Sequence, residues 1–342
     1  MIDQVADAVA GIRHARSTLR AVMVRRMRRI MTHNPWVPMW SIRDKTVLIT
    51  GGTSGIGLES AAVLASQGAR VIIVGRDAGK VSMALGVIEA RPGGVKFDER
   101  HRPESYVCDF SSLRAVAQLA DAILRDIPAL HVLINNAGSV FANRTLTPDG
   151  YEATFAINHL APFLLTQRLL PLLSDSAPAR IVTVASGRHF KGTMDFGDLG
   201  FERGYRILRA YARSKLANVM FASEQARRLS DGRVISNSVH PGRVATNIWS
   251  GAPAWAKPII KYWLSRTFIS VPEGAAPVVA LATRPDVSEV TGQYFDGHEM
   301  RDPSPAARDL EMATHLWHES ERLVHTALHV HGGANSGRLN VS

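Results

Sequence analysis

Tyr211 and Lys215 stand four residues apart in the run YARSKLAN at 211–218. On a helix that spacing puts both side chains on one face, one turn apart. An ammonium beside a phenol favours the phenolate, which makes the tyrosine a proton donor or acceptor usable near neutral pH. Taken alone the pair is weak evidence, because surface helices produce it by chance. Two further runs precede it, TGGTSGIG at 50–57 and NNAG at 135–138, in the order a nucleotide-binding enzyme requires. Together the three runs point to a nicotinamide-dependent oxidoreductase.

Positioning such groups needs a scaffold, and the chain patterns one. TVLIT (46–50), RVIIV (70–74), SYVCD (105–109), HVLIN (131–135), RIVTV (180–184), VISNSVH (234–240) and QYFD (293–296) read as strands. Helical patterns such as LESAAVLASQG (58–68) and LRAVAQLADAILRD (113–126) lie between them. Near-continuous apolar strands alternating with helices imply a parallel sheet covered on both faces. The expected architecture is α/β, a Rossmann-type doubly wound parallel sheet in a single domain over 41–342, closing with a helix around 304–329. An N-terminal basic amphipathic helical arm, 1–40, precedes it.

TGGTSGIG follows the first strand and opens the first helix. Gly51, Gly55 and Gly57 permit a tight turn and let the backbone approach a pyrophosphate at the helix N-terminus. Thr53, Ser54 and Ile56 complete this expected cofactor turn. A carboxylate at the second strand's tip suits the ribose hydroxyls of NAD, whereas a basic residue accommodates a 2′-phosphate. Here the strand runs into Gly75, Arg76 and Asp77. NADP(H) is therefore favoured over NAD(H), with Asp77 assigned to capping the helix that begins AGK.

The chain resembles the short-chain dehydrogenase/reductases, and within them the retinol-dehydrogenase-like branch, from about residue 45 to about residue 325. The resemblance rests on TGGTSGIG, NNAG, INHLAPFLLT (157–166), RIVTVAS (180–186), YARSKLAN, HPGRVATN (240–247) and SPAARD (304–309). It implies that Asn158, Ser186, Tyr211 and Lys215 are the catalytic set. In that reading Tyr211 exchanges the proton with the substrate oxygen, which the Ser186 hydroxyl positions. Lys215 binds the nicotinamide ribose and holds down the tyrosine's pKa, and Asn158 anchors a water that leads to solvent. The cofactor supplies the hydride and the protein orientation and electrostatics. The resemblance also implies cofactor contacts at Asp109 (adenine), Asn135 (adenine ribose), Ala137 and Gly138, and at Pro241, Gly242 and Thr246 around the nicotinamide. Ala185 departs from the pattern, standing where relatives often carry a second serine.

Ser186 and Tyr211 are 25 positions apart, about twice the family's usual gap, and the insert 187–210 resembles that of the retinol-dehydrogenase-like branch. Phe190, Phe196, Leu199 and Phe201 in this insert are expected either to face substrate or to pack the insert onto the sheet. Residues 248–271, with Trp249, Trp255 and Trp263, occupy the position of the family's substrate lid. An apolar lid suits a small lipophilic alcohol or carbonyl compound. Arg188, His189 and Arg243 place polar groups near the same site and leave open whether the substrate carries an anion. A tailoring ketoreductase for a bulky natural product or steroid fits equally well. A catalytically idle, membrane-associated nucleotide-binding protein is the third reading, against which the complete Asn–Ser–Tyr–Lys set counts.

Residues 1–45 hold nine Lys/Arg against Asp3, Asp7 and Asp44, so +6 of the formal +10 belongs to the arm and its junction. A body left with +4 argues against nucleic-acid binding. No stretch approaches the ~20 apolar residues of a membrane span. Arginines between Ile2, Val5, Val9, Ile12, Leu19, Met23, Met27 and Ile30 suit peripheral membrane contact through residues 1–31, a packed helix or a partly disordered extension. The single cysteine, Cys108, is expected to be buried and inert, which fits a reducing, cytoplasmic compartment. His318, His325, His329 and His331 are expected to face solvent, and no metal is expected. A homo-oligomer through the helix of Tyr211 is what the family resemblance implies.

Overall fold

Val47, Leu48 and Ile49 are completely buried, and they set the centre of the molecule. Their strand, β1 (Thr46–Thr50), pairs in parallel with β2 (Arg70–Gly75) on one side and β4 (Val132–Asn135) on the other. The computed structural model describes residues 40–91, 101–229, 232–244 and 269–330. Within these residues the sheet continues through β3 (Glu104–Val107), β5 (Ala179–Val184), β6 (Val234–His240), β7 (Tyr294–Asp296) and β8 (Glu299–Arg301). Its spatial order is β3-β2-β1-β4-β5-β6-β7-β8, parallel throughout except for the antiparallel β7–β8 pair. The chain therefore reverses its direction of travel between β1 and β4. In doubly wound sheets such a switch point opens a crevice at the strands' C-terminal ends.

Runs with no polar face make the inner strands, and helices cover them. Helix α1 (Gly55–Ser66) packs against α2 (Ala78–Glu89) and α6 (Val271–Thr283). Helix α3 (Leu113–Asp126) lies on α4 (Ala161–Asp175), and α7 (Leu310–Val330) spans α3 and α5 (Ile207–Arg228). Buried Leu113, Val116, Ala117, Ala120 and Ile123 recur along α3 at helical spacing, and the Ser112 side chain caps it by accepting from Ala115 N–H. That is the usual pattern of an amphipathic helix with a polar N-cap.

The patterned strands and helices occur where the apolar runs place them, with two differences. Strand β8 was not foreseen, since its three exposed residues at the sheet edge carry no alternation. The terminal helix starts at Leu310, after a short helical turn at Ala306–Arg308, because Pro303 and Pro305 interrupt the earlier residues. Cys108 is buried just beyond β3, and burial pushes its thiol up to about 12, so it stays protonated. No helix among the described residues is long and apolar enough to cross a membrane. The N-terminal arm lies outside the described residues, as do Thr246, Trp249, Trp255, Trp263 and most of the expected lid.

Candidate active site

The C-terminal ends of β1, β2, β4, β5, β6 and β7 open into a cleft of about 1200 Å³. Its first wall is the glycine turn after β1. Gly51 (φ 67°) and Gly55 (φ 54°) adopt left-handed conformations that suit glycine. A Cβ on Gly57 would lie 2.2 Å from the Gly51 carbonyl oxygen, so α1 and the turn approach more closely than a side chain allows. Thr50 staples this turn to β4. Its hydroxyl accepts the N–H groups of Asn136 and Ala137, both at 3.0 Å, and donates to the Ile134 carbonyl at 3.3 Å. The Asn136 amide donates to the carbonyls of Thr50 (2.9 Å) and Gly51 (3.2 Å).

These contacts correct one sequence assignment. Asn135, expected at the cofactor, is buried beneath the sheet's tip and donates to Thr166 Oγ1 at 2.9 Å. Its neighbour Asn136 lines the cleft instead, together with Ala137 and Gly138. Thr53, Ser54, Gly55, Ile56 and Gly57 line it from the turn, and Asp109 from the end of β3. Arg76 and Lys80 face the same end. Asp77 caps α2, its carboxylate accepting from Lys80 N–H at 2.8 Å. A Cβ on Gly75 would meet Thr53 Cγ2 at 2.4 Å, so the strand tip has no room for a carboxylate side chain.

At the other end, Ser186 leaves β5 and accepts from Arg188 N–H at 3.2 Å through its hydroxyl. Tyr211 and Lys215 line the cleft from α5. Lys215 Nζ donates to the Val184 carbonyl at 2.9 Å, and burial lowers its pKa to about 8. Burial raises the Tyr211 pKa, while a hydrogen bond with Ser186 and the charge of Arg188 oppose that rise. The Lys215 ammonium stands 5.8 Å from the centre of the Tyr211 ring, and the Arg188 charge reaches the phenol from the insert.

Asn158 lies behind the cleft. It sits in a widened helical turn at Ala156–Leu160, fully buried. Such turns recur at functional sites. Its amide accepts from Ser139 N–H at 2.7 Å and donates to the Ser139 carbonyl at 3.1 Å and to Ser214 Oγ at 3.0 Å. It thus braces the loop after β4 against α5.

Of the four insert residues, Phe190 alone lines the cleft, half exposed. Phe196 stacks on His315 at 3.8 Å, and Leu199 and Phe201 are buried. His189 is also buried, between Phe190 (4.1 Å) and Tyr294 (4.6 Å). Its Nε2 accepts from Ser304 N–H at 3.1 Å, which leaves Nδ1–H to donate to the Ser186 carbonyl at 2.7 Å. The imidazole is neutral, burial lowering its pKa, and it ties the turn at Ser186 to the C-terminal segment.

Pro241 and Gly242 (φ 95°) follow β6 and line the cleft, with His240 and Arg243 on either side. Tyr294 and Asp296 line it from β7. Their position was legible in principle, because residues at the C-terminal ends of parallel strands face the crevice. The run QYFD marks the strand, but its sequence does not say which of its side chains reach the cleft. His318, His325 and His329 face solvent, and the described residues contain no group of His, Cys, Asp or Glu suited to a metal ion.

The family profile described as short chain dehydrogenase matches residues 45–257. The chain is 42% identical to retinol dehydrogenase 14 of Mus musculus, over 83% of this chain and 86% of that protein. It is 37% identical to a Streptomyces sp. (strain C5) protein provisionally named daunorubicin C-13 ketoreductase DnrU, over 84% of this chain and 95% of the relative. An uncharacterised protein from Mycobacterium paratuberculosis, known as a crystal structure, superposes with a TM-score of 0.67 at 31% identity, covering 84% of this chain and 96% of the other.

Proposed function

The chain belongs to the short-chain dehydrogenase family, in its retinol-dehydrogenase-like branch, and from that membership we propose that it is an NADP(H)-dependent oxidoreductase interconverting a lipophilic alcohol and its aldehyde or ketone. The observation that carries the reading is the shared cleft, in which the glycine turn and Arg76 stand at one end and Ser186, Tyr211 and Lys215 at the other.

The residues present fit a dinucleotide. Ser54 makes no side-chain cap on α1, unlike Asp77 on α2 and Ser112 on α3, so the first-turn N–H groups of α1 are left to the cleft. Those orphan donors and the helix dipole suit a pyrophosphate. Arg76 and Lys80 would meet the 2′-phosphate, Asp109 the adenine, and Pro241, Gly242 and Thr246 the nicotinamide end. Hydride transfer is the chemistry a bound nicotinamide supplies.

The chain's own residues handle the proton and the geometry. Tyr211 gives a proton to the carbonyl oxygen in reduction and takes it back in oxidation. The Ser186 hydroxyl, its acceptor side held by Arg188 N–H, positions that oxygen. Lys215, anchored on Val184, offers its remaining N–H bonds to the nicotinamide ribose. Asn158 holds the loop after β4 in register with α5. Phe190 and the tryptophans at 249, 255 and 263 would enclose an apolar substrate.

The retinol dehydrogenase relative supports a lipophilic alcohol, and the DnrU relative keeps a bulky ketone as the second reading. We extend the proposal to a single catalytic domain over 41–342, behind a basic arm that contacts a membrane surface from the cytoplasm, and to a homo-oligomer.

The test follows NADPH and NADH oxidation with a panel of lipophilic aldehydes, ketones and polycyclic ketones, with wild type beside Tyr211→Phe. Turnover with NADPH that falls by about 100-fold or more in the variant is expected. Nucleotide binding without Tyr211-dependent turnover of any panel member would sink the proposal in favour of an idle nucleotide-binding scaffold.

A further inference from the structure

The carbonyls of Val184 and Ser186, on either side of Ala185, are each held by a side chain. Val184 accepts from Lys215 Nζ at 2.9 Å. Ser186 accepts from His189 Nδ1–H at 2.7 Å and from the His189 backbone N–H at 3.0 Å, which uses both lone pairs of its carbonyl. Between them, Ala185 N–H donates to the Val239 carbonyl at 2.8 Å. The backbone on both sides of Ser186 is thus held, and Arg188 N–H holds the hydroxyl oxygen at 3.2 Å. The short turn that carries His189, Gly187–Lys191, is itself docked on α5. A Cβ on the next residue, Gly192, would lie 2.6 Å from the Ala212 carbonyl oxygen and 2.8 Å from Leu216 Cβ. Those two residues directly follow Tyr211 and Lys215 in the chain.

His189 also reaches the C-terminal segment. The run SPAARD at 304–309, to which the proposed reaction gives no role, begins with Ser304 between two prolines. Pro303 and Pro305 have no N–H, so Ser304 supplies the one backbone donor of those three residues. It goes to His189 Nε2 at 3.1 Å. Ser304 is buried, Ala307 N–H closes the turn on its carbonyl at 3.0 Å, and Asp309 caps α7 by accepting from Met312 N–H at 3.0 Å. The donor to His189 is therefore fixed to a helix that packs on α5. The two nitrogens of an imidazole are not equivalent, because the partner of one decides which carries the proton. With Nε2 accepting, the proton of the neutral ring lies on Nδ1, where the Ser186 carbonyl takes it up as a hydrogen bond. The ring is wholly buried between Phe190 and Tyr294, with both nitrogens satisfied, and has no room to turn over.

We propose that His189 is a positioning residue for Ser186, and that the SPAARD turn selects its tautomer. Ser304 N–H keeps Nε2 as an acceptor, Nδ1–H holds the Ser186 carbonyl, and the held peptide aims the serine hydroxyl at the substrate oxygen. The C-terminal segment thereby serves the reaction without touching substrate or cofactor. This role rests on the oxidoreductase reading above, in which Ser186 orients the reacting oxygen. Misplacing such a group by about 1 Å can cost about 100-fold in rate, so a side-chain bond to one backbone carbonyl is enough to matter.

The experiment separates the two ring nitrogens in the full-length protein. In His189→Asn the side-chain Nδ2 stands in place of Nδ1 and can still donate to Ser186. In His189→Gln the Oε1 stands in place of Nε2 and can still accept from Ser304. Steady-state reduction of the best carbonyl substrate by NADPH is followed in both. His189→Gln is expected to lower kcat about 10- to 100-fold and His189→Asn about threefold or less, with the KM for NADPH unchanged in both. Ser186→Ala/His189→Gln should be no slower than Ser186→Ala alone. Equal losses in the Asn and Gln variants, or a loss that multiplies with that of Ser186→Ala, overturn the role and leave His189 to packing. Should the variants not fold, 15N NMR of the histidine-labelled wild type reads the tautomer directly, with His189 assigned through the rings of Phe190 and Tyr294. A neutral ring protonated on Nδ1 is expected, and a proton on Nε2 overturns the proposal. Wild type without Tyr211-dependent turnover sinks the oxidoreductase reading and this role with it, whereas turnover that both His189 variants retain in full sinks this role alone.

Discussion

The Lys215 ammonium lies 5.8 Å from the centre of the Tyr211 ring and spends one N–H on the Val184 carbonyl at 2.9 Å. Helical spacing brings the two residues to one face, but the end of β5 captures the lysine. Around the phenol, the Ser186 hydroxyl and the Arg188 charge favour its ionised form against burial. The insert between Ser186 and α5 thus contributes to the surroundings of Tyr211.

These surroundings give a pH prediction. In the proposed mechanism oxidation needs Tyr211 able to accept a proton, so its rate should rise with pH. Removing the Arg188 charge withdraws a stabiliser of the phenolate, which moves the inflection to higher pH. In Arg188→Gln the pH profile of kcat/KM for alcohol oxidation should shift in the alkaline direction, with the largest loss at the acid end. A profile that superposes on wild type would remove Arg188 from the acid–base machinery.

Lys215 carries a stability cost. Burial lowers its pKa to about 8, below the ordinary lysine range, so between pH 8 and that range the unfolded chain binds more protons than the folded one. Stability contributed by this group therefore rises with pH across that window, and at neutral pH its charge opposes folding. Lys215→Met should abolish turnover while leaving Tm unchanged or raising it by about 2–4 °C. Val184 keeps a partner, because Asn218 Nδ2 also reaches its carbonyl at 3.4 Å. A large fall in Tm would show that the ammonium's hydrogen bond outweighs its desolvation.

The proposed preference for NADP(H) rests on the tip of β2. Arg76 is exposed, so Arg76→Ala removes a charge without disturbing packing. A lost charge-assisted contact of about 1.5–3 kcal/mol predicts a roughly 10- to 100-fold rise in the KM for NADPH with little change for NADH. Gly75→Asp is expected to fail as an NAD-selective switch, because its Cβ meets Thr53 at 2.4 Å. Unchanged KM values for both nucleotides in Arg76→Ala would place the discriminating contact elsewhere.

Much of this organisation is legible in the residues, for identifiable reasons. Inner strands such as VLI at 47–49 are continuous apolar runs, and glycines mark where backbone must approach backbone. What escapes is the finer choice of face. In NNAG the strand ends at Asn135, and successive side chains point to opposite faces, so one asparagine is buried on Thr166 while the next reaches the turn. Composition does not say which. Nor does the aromatic content of the insert say which rings turn inward. Phe201 does so at φ 48°, its ring 3.7 Å beneath the Arg213 guanidinium. Tyr294 and Asp296 escaped because the short run QYFD reads as a strand without showing that its end opens on the cleft.

Acid stability follows from histidines that the fold keeps neutral. His159 is 1% exposed among Phe155, Phe163 and Phe221, and its Nε2–H donates to Ser320 Oγ at 2.8 Å, since that hydroxyl itself donates to the Leu316 carbonyl. Burial lowers its pKa to about 3, and burial with the Lys45 charge lowers that of His131 to about 4. Below the ordinary histidine value of about 6.5 the unfolded chain takes up protons that the folded chain refuses. Stability from these groups is fully present above that pH and is lost as pH falls toward 4. A fully buried histidine contributes a slope of up to about 1.4 kcal/mol per pH unit in this window. His159→Phe leaves Ser320 its backbone acceptor and removes one titrating group. Urea midpoints measured between neutral pH and pH about 5 should therefore fall less steeply in the variant than in the wild type. Parallel slopes would mean that His159 takes up its proton within the folded protein.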